Sequence, residues 1–137
     1  MQNIDLICVG KLNAKYFAEG VAEYKKRLAA FAAFRIIELP EEKIEEKNAS
    51  DAVVKKALDK EGKAILSNVR KGAAIVAMCI EGRQISSDEL AQFLAQRAGS
   101  GAGDVAFVIG SSHGLSDEVK KPFYLWYFMP ALMVQAR

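Results

Sequence analysis

Two stretches decide the fold: AAIVAMCI (Ala73–Ile80) and VAFVIG (Val105–Gly110), each apolar at every position. A strand with only one covered face alternates apolar and polar residues, whereas a parallel strand covered on both faces reads as a continuous apolar run. Between these runs, Ser86, Ser87, Asp88 and Glu89 open a predicted helix whose buried face is Leu90, Phe93 and Leu94. Ser86 and Glu89 have the spacing of a capping box, in which each side chain satisfies a free backbone donor of the first turn. The glycine-rich GSGAGD then leads from Asp104 into the second run.

Working outward, the same alternation recurs upstream. Ile4–Val9 reads as a first strand, punctuated by Gly10 and Asn13. From Asn13, a good N-cap type, Phe17, Val21, Tyr24, Leu28 and Phe31 recur at steps of four and three. That spacing places them on one face of a helix. FRIIELP, β-branched and closed by Pro40, reads as a second strand. EEKIEEKNAS is a charged, solvated loop. Ser50 caps a second helix through Val54, Leu58, Ile65 and Val69, with Gly72 as its stop and Gly62 as an unfavourable interior residue. Helices alternating with continuously apolar strands predict an α/β domain with a mostly parallel sheet.

Bulk properties narrow the function. At 137 residues the chain fits one domain, and 51% hydrophobic with 26% charged residues is a globular composition. A net charge of +2 provides no general grip on nucleic acid. RNA binding must then rest on a local patch, of which Lys25–Arg27 is the visible candidate, or on a pre-shaped partner. Cys8 and Cys79 each sit in an apolar run and read as buried, inert thiols. Nothing suggests a metal site, a disulfide framework, a signal peptide or a membrane span, and a cytoplasmic protein is expected.

In open α/β sheets, ligands collect beyond the carboxyl ends of the strands. Two predicted strand ends carry glycine: Met78-Cys-Ile-Glu-Gly82-Arg83 and Ile109-Gly110-Ser111-Ser112-His113-Gly114. Glycine lets a ligand approach the backbone closely, although such glycines also simply form turns. The first strand is followed by Gly10-Lys11-Leu12-Asn13, so the dinucleotide-binding glycine spacing is absent, as is a P-loop. His113, the one histidine, reads as a solvated loop residue or a phosphate or substrate contact, and no serine beside it is marked as activated.

Several segments together resemble one family. They are Ile7-Cys-Val-Gly-Lys-Leu12, Tyr16, Glu23–Leu28, Ile36-Ile-Glu-Leu-Pro40, Lys60-Glu61-Gly62 with Ile65-Leu66, Glu81-Gly82-Arg83, Ser86-Ser87, Leu90-Ala91, and Phe107–Gly110 with Gly114-Leu115-Ser116. In this order they are similar to the SPOUT-class ribosomal RNA large subunit methyltransferase H family, which are pseudouridine N3-methyltransferases. The resemblance runs from residue 3 to about residue 121. It implies a single SPOUT domain over 1–137, a trefoil-knotted α/β fold, a homodimer, and S-adenosylmethionine as methyl donor. The implied target is N3 of a pseudouridine in 23S ribosomal RNA of the assembled ribosome. Carried over position by position, the cofactor residues would be Met78, where the family usually has leucine, with Gly82, Gly110 and Gly114. The family usually has a second glycine where Ser111 stands. No residue is marked as the general base.

Downstream of Lys121 the likeness lapses. The family shows a Leu-Ser-rich strand, a Pro-His-Gln-type helix, and a Tyr-Arg-Ala helix with a Tyr-His tail. This chain instead reads Pro122-Phe-Tyr-Leu-Trp-Tyr-Phe-Met-Pro130-Ala-Leu-Met-Val-Gln-Ala-Arg137. Its aromatic run, Tyr124–Phe128, predicts one strand, with Pro130 opening a short helix. The third cofactor loop, the completion of the knot and much of the dimer interface would fall in this divergent stretch. Weaker methyl transfer, weaker dimerisation, or both are expected on that basis. The alternatives left open are a non-catalytic relative serving as an α/β binding or dimerisation module, and an unrelated nucleotide-binding α/β protein.

Overall fold

The predicted alternation of strand and helix is present in the computed structural model, which describes residues 1–10, 15–45, 47, 49–101, 103–120 and 124–127. The elements are β1 (Asn3–Val9), α1 (Lys15–Leu28), β2 (Ala33–Leu39), α2 (Asp51–Ser67), β3 (Ala74–Gln84), α3 (Ser87–Gly99), β4 (Val105–Ile109), α4 (Asp117–Lys120) and β5 (Tyr124–Tyr127). Among the described residues the five strands form one sheet in the order β2-β1-β4-β3-β5. Every pairing is parallel. All carboxyl ends therefore lie along one edge. The chain leaves β1 toward β2 and leaves β4 toward β5, in opposite directions, so β1 and β4 flank a topological switch point.

Strands β3 and β4 carry packed clusters on both faces, as their apolar runs require, with Ile109 at the end of β4 left 43% exposed. On one face Ile7 and Val9 of β1, Ile75 and Ala77 of β3, and Ala106 and Val108 of β4 pack with Ile65 of α2 and Val119 of α4. On the other, Val76 and Val105 pack with Ile85 against Leu90, Phe93 and Leu94 of α3. The capping box of α3 is formed: Glu89 N–H donates to Ser86 Oγ at 3.1 Å, and Ser86 N–H donates to Glu89 Oε1 at 3.4 Å. Ser50 caps α2 by accepting from Val53 N–H at 3.3 Å.

The most deeply buried charged side chain among the described residues belongs to β1. Asp5, at 1% exposure, projects from β1 on the same face as Ile7 and Val9. Arg35 donates to both of its oxygens, from Nε at 3.1 Å and from Nη2 at 2.9 Å, and Arg70 Nε donates at 3.0 Å. Two guanidinium groups thus compensate one buried carboxylate, as the cost of burying an isolated charge demands.

Several expectations need correction. The apolar stripe of α1 is not a buried face: Tyr24 is 64% exposed, and Phe31, beyond the helix end, is 79% exposed. The helix lies against the β1–β2 side, where Val21, Tyr24 and Leu28 border a groove floored by Leu6, Phe34 and Ile36. Helical α2 stops at Ser67, before Val69 and Gly72. Asn68 is the C-cap, its side chain donating to the Ala64 carbonyl at 2.8 Å, and Gly72 instead takes a φ of +79° in the following turn. Strand β3 does not end at Ile80, because pairing with β5 carries it on to Gln84. Cys8 and Cys79 are half-buried, not fully buried. A β5 strand is formed, at Tyr124–Tyr127. The Asn13 cap and the Pro130 helix lie outside the described residues.

Candidate functional site

The carboxyl edge of the sheet brings two of the sequence-predicted positions side by side. Met78 of β3 pairs in register with Ile109 of β4, the last pair between these two strands, so Met78 lies beside the end of β4 and its Gly110. Gly82 does not follow the end of a strand as expected. Met78 and Arg83 both pair with Trp126 of β5, so Cys79–Gly82 form a bulge within β3. A bulge of this kind bends a strand and re-aims its side chains. Its flanks are tied down: Lys120 Nζ of α4 reaches Glu81 Oε1 at 2.7 Å, and Arg83 Nη1 reaches Glu89 Oε2 at 2.7 Å. Hydrogen bonding from Lys120 holds the Glu81 carboxyl below the usual carboxylate range, and the reciprocal bond raises the Lys120 ammonium. Burial pushes the Cys79 and Cys8 thiols up.

After β4 the chain makes a tight turn in which Gly114 N–H donates to the Ser111 carbonyl at 2.9 Å. Gly114 takes a φ of +96°, which disfavours any side chain there. Gly110 is required for space, not for φ. A Cβ built on it would stand 2.2 Å from the Gly114 carbonyl oxygen and 2.8 Å from Leu115 Cδ2. The turn is therefore closed upon Gly110, and a side chain at this position meets protein before it meets any ligand. His113, on the same turn, is exposed.

A cavity of about 740 Å³ opens at the β1–β4 switch point. Its floor is Leu6, Cys8, Ile36 and Ile109, and its rim carries Gly10, Glu38, Glu41, Ser111 and Ser112. Of the four predicted positions only Gly110 lines it. The end of the β3–β4 pairing and this cavity are thus adjacent features sharing the 110–114 turn.

Sequence reasoning missed the residue that joins them. Glu61 of α2, 5% exposed, sends its carboxylate to the carboxyl edge. Its Oε2 accepts from Glu42 N–H at 2.8 Å and its Oε1 accepts from Ser111 Oγ at 2.9 Å. Beside it, Gly62 has no room for a Cβ, which would stand 2.4 Å from Ser116 Oγ. Gly62 is thus the contact that lets α2 and α4 approach. The signal was present: Glu61 continues the spacing Val54, Leu58, Ile65 on the inner face of α2. A carboxylate in a buried stripe needs donors.

Two comparisons bear on what this edge does. The family model described as predicted SPOUT methyltransferase matches residues 2–130, past the point where the motif likeness lapses. Ribosomal RNA large subunit methyltransferase H of Streptococcus uberis is 44% identical over 118 residues, 86% of this chain and 74% of that protein. The protein of the same description from Bacillus thuringiensis is 48% identical over 119 residues, 87% of this chain and 74% of its own length.

Proposed function

This chain belongs to the SPOUT methyltransferase family, and from that premise we propose that it transfers a methyl group from S-adenosylmethionine to N3 of a pseudouridine in 23S ribosomal RNA. The supporting observation is the 44–48% identity to ribosomal RNA large subunit methyltransferase H across a stretch that contains both glycine-bearing segments. We place the cofactor where the pairing of β3 with β4 ends, with Met78 and Gly110 offering backbone contacts and Gly82 and Gly114 shaping the bulge and the turn.

The local geometry fits such a ligand. The end of β4, the four-residue bulge of β3 beside it and a turn closed on glycine bring backbone together where an adenine or amino-acid group can bond to it. When bound, the cofactor supplies an electrophilic methyl sulfonium, so the protein's main contribution is alignment. The chain's own part is to hold the 110–114 turn and the Cys79–Gly82 bulge rigid, through the Glu61 and Lys120 contacts, and to keep water from the reacting atoms. The imide N3 of the base must lose its proton, and no residue is assigned as its base. Single-domain organisation over 1–137, a trefoil knot, a homodimer and a cytoplasmic location complete the proposal. Among the described residues no helix is long and apolar enough to cross a membrane.

Calorimetric titration with S-adenosylmethionine tests the cofactor part. Saturable one-site binding is expected, and a folded chain that takes up none would reject it. Substrate recognition is expected to depend on the assembled ribosome or large subunit, since the net charge is +2 and the Lys25–Arg27 cluster is partly spent: Arg27 pairs with Glu23 at 3.1 Å. Filter binding at physiological salt is expected to give saturation with ribosomes and only weak retention of a free RNA hairpin. Tight hairpin binding with a steep salt slope would contradict this.

A further inference from the structure

We infer that Glu61 is a positioning residue for the cofactor, a buried latch that fixes the 110–114 turn against the 41–42 segment through a hydroxyl this chain carries at Ser111. The inference rests on the cofactor placement proposed above and extends it to a residue in a different element.

A carboxylate at 5% exposure is unfavourable unless its oxygens are met by donors. Here each oxygen has one, and the two donors come from opposite sides of the β1–β4 switch point. Oε2 takes the Glu42 amide, just beyond β2, at 2.8 Å, and Oε1 takes the Ser111 hydroxyl, just beyond β4, at 2.9 Å. Helix α2 can reach this edge because Gly62 allows it to lie close to Ser116. A second tie spans the same gap, with Ser112 Oγ donating to Glu41 Oε1 at 3.2 Å. That one is exposed, so Glu61 is the stronger fastening.

The turn-side partner is a side-chain hydroxyl, whereas the partner beyond β2 is a backbone amide. Through that hydroxyl the turn after β4 gains a fixed point. Fixing a binding loop beforehand lowers the ordering cost at the moment of binding. Glu61 and Ser111 are thereby expected to act on cofactor affinity as one unit.

Three variants separate this role from a purely structural one. In Glu61→Gln the amide oxygen can still accept from Glu42 N–H while its NH₂ donates to Ser111 Oγ, so both contacts survive with one polarity reversed. In Glu61→Leu both are lost at similar volume. In Ser111→Ala only the turn-side contact is lost, which leaves Glu61 Oε1 without that donor while the Glu42 contact to Oε2 remains. Calorimetry with S-adenosylmethionine on each, with circular dichroism to confirm folding, gives the readout. We expect Glu61→Leu to raise Kd about tenfold or more and Ser111→Ala to raise it several-fold. Glu61→Gln should stay within about threefold of the parent, and Ser111→Ala should add nothing in the Glu61→Leu background. Parental affinity in folded Glu61→Leu, or in Ser111→Ala should the leucine variant not fold, overturns the latch. Failure of the parent chain to bind at all would instead reject the cofactor placement.

Discussion

Replacing Arg35 and Arg70 together by alanine is expected to destabilise the protein by about 3–5 kcal/mol, the range for stripping the partners from a buried charge. The burden falls on Asp5, whose carboxylate is 1% exposed and bonded by three guanidinium nitrogens at 2.9–3.1 Å. The direction of the asymmetry is a sharper test than the size. Both arginine side chains are more than a third exposed. Removing the carboxylate therefore leaves two cations that water can solvate, whereas removing the cations leaves an anion that water cannot reach. Asp5→Leu, which puts an apolar side chain beside Ile7 and Val9, is expected to cost less than the double arginine variant. Urea unfolding of the three proteins would check this. A double variant within about 1 kcal/mol of the parent, a loss typical of an exposed ion pair, would show that the cluster is not what keeps Asp5 buried.

Gly110→Ala is expected to lower stability by about 1–3 kcal/mol, the usual cost of forcing atoms into a filled space, and to weaken S-adenosylmethionine binding at the same time. The added methyl would meet the Gly114 carbonyl oxygen at 2.2 Å, and this is backbone, which cannot rotate aside as a side chain can. Relief requires moving the 110–114 turn, which is the proposed cofactor loop and the anchor of the Glu61 latch. Gly110→Val carries the same clash in larger form. Its loss of binding would thus report a displaced turn, not a side chain occupying the cofactor's place. Gly20→Ala is the matched control: it lies inside α1 with nothing within 4 Å of the added carbon. There the same exchange is expected to stabilise by about 0.5–1 kcal/mol through helix propensity and a less flexible unfolded chain. Thermal melting of both variants checks the opposite signs. An unchanged melting temperature for Gly110→Ala would mean that the turn is not closed upon Gly110.

Legibility followed the locality of the physics. The strands β3 and β4 were readable because burial on two faces writes a continuous apolar run. The caps of α2 and α3 were readable because a cap is a contact between residues three apart. What escaped were consequences of distant pairing. Strand β3 continues past Ile80 because β5, some forty residues later, is there to pair with it, and this converts a turn into a bulge. The α1 stripe has the spacing of a buried face, yet Tyr24 is 64% and Leu28 40% exposed beside a groove, because periodicity states which residues share a face and not what covers it. At the candidate site, the pairing of Met78 with Ile109 justifies grouping the two segments, although the glycine at 82 sits in a different setting from that expected. Glu61 was visible as part of Lys60-Glu61-Gly62 but without a role, because its two donors come from segments 19 and 50 residues away in sequence.

The most direct test of the central claim is methyl incorporation into ribosomes that lack the modification, using labelled S-adenosylmethionine and the 137-residue chain. The label should appear in large-subunit RNA, at N3 of one pseudouridine, and at most once per ribosome. A folded, cofactor-binding chain that leaves the ribosomes unlabelled, or places the methyl group on a different nucleotide, would contradict it.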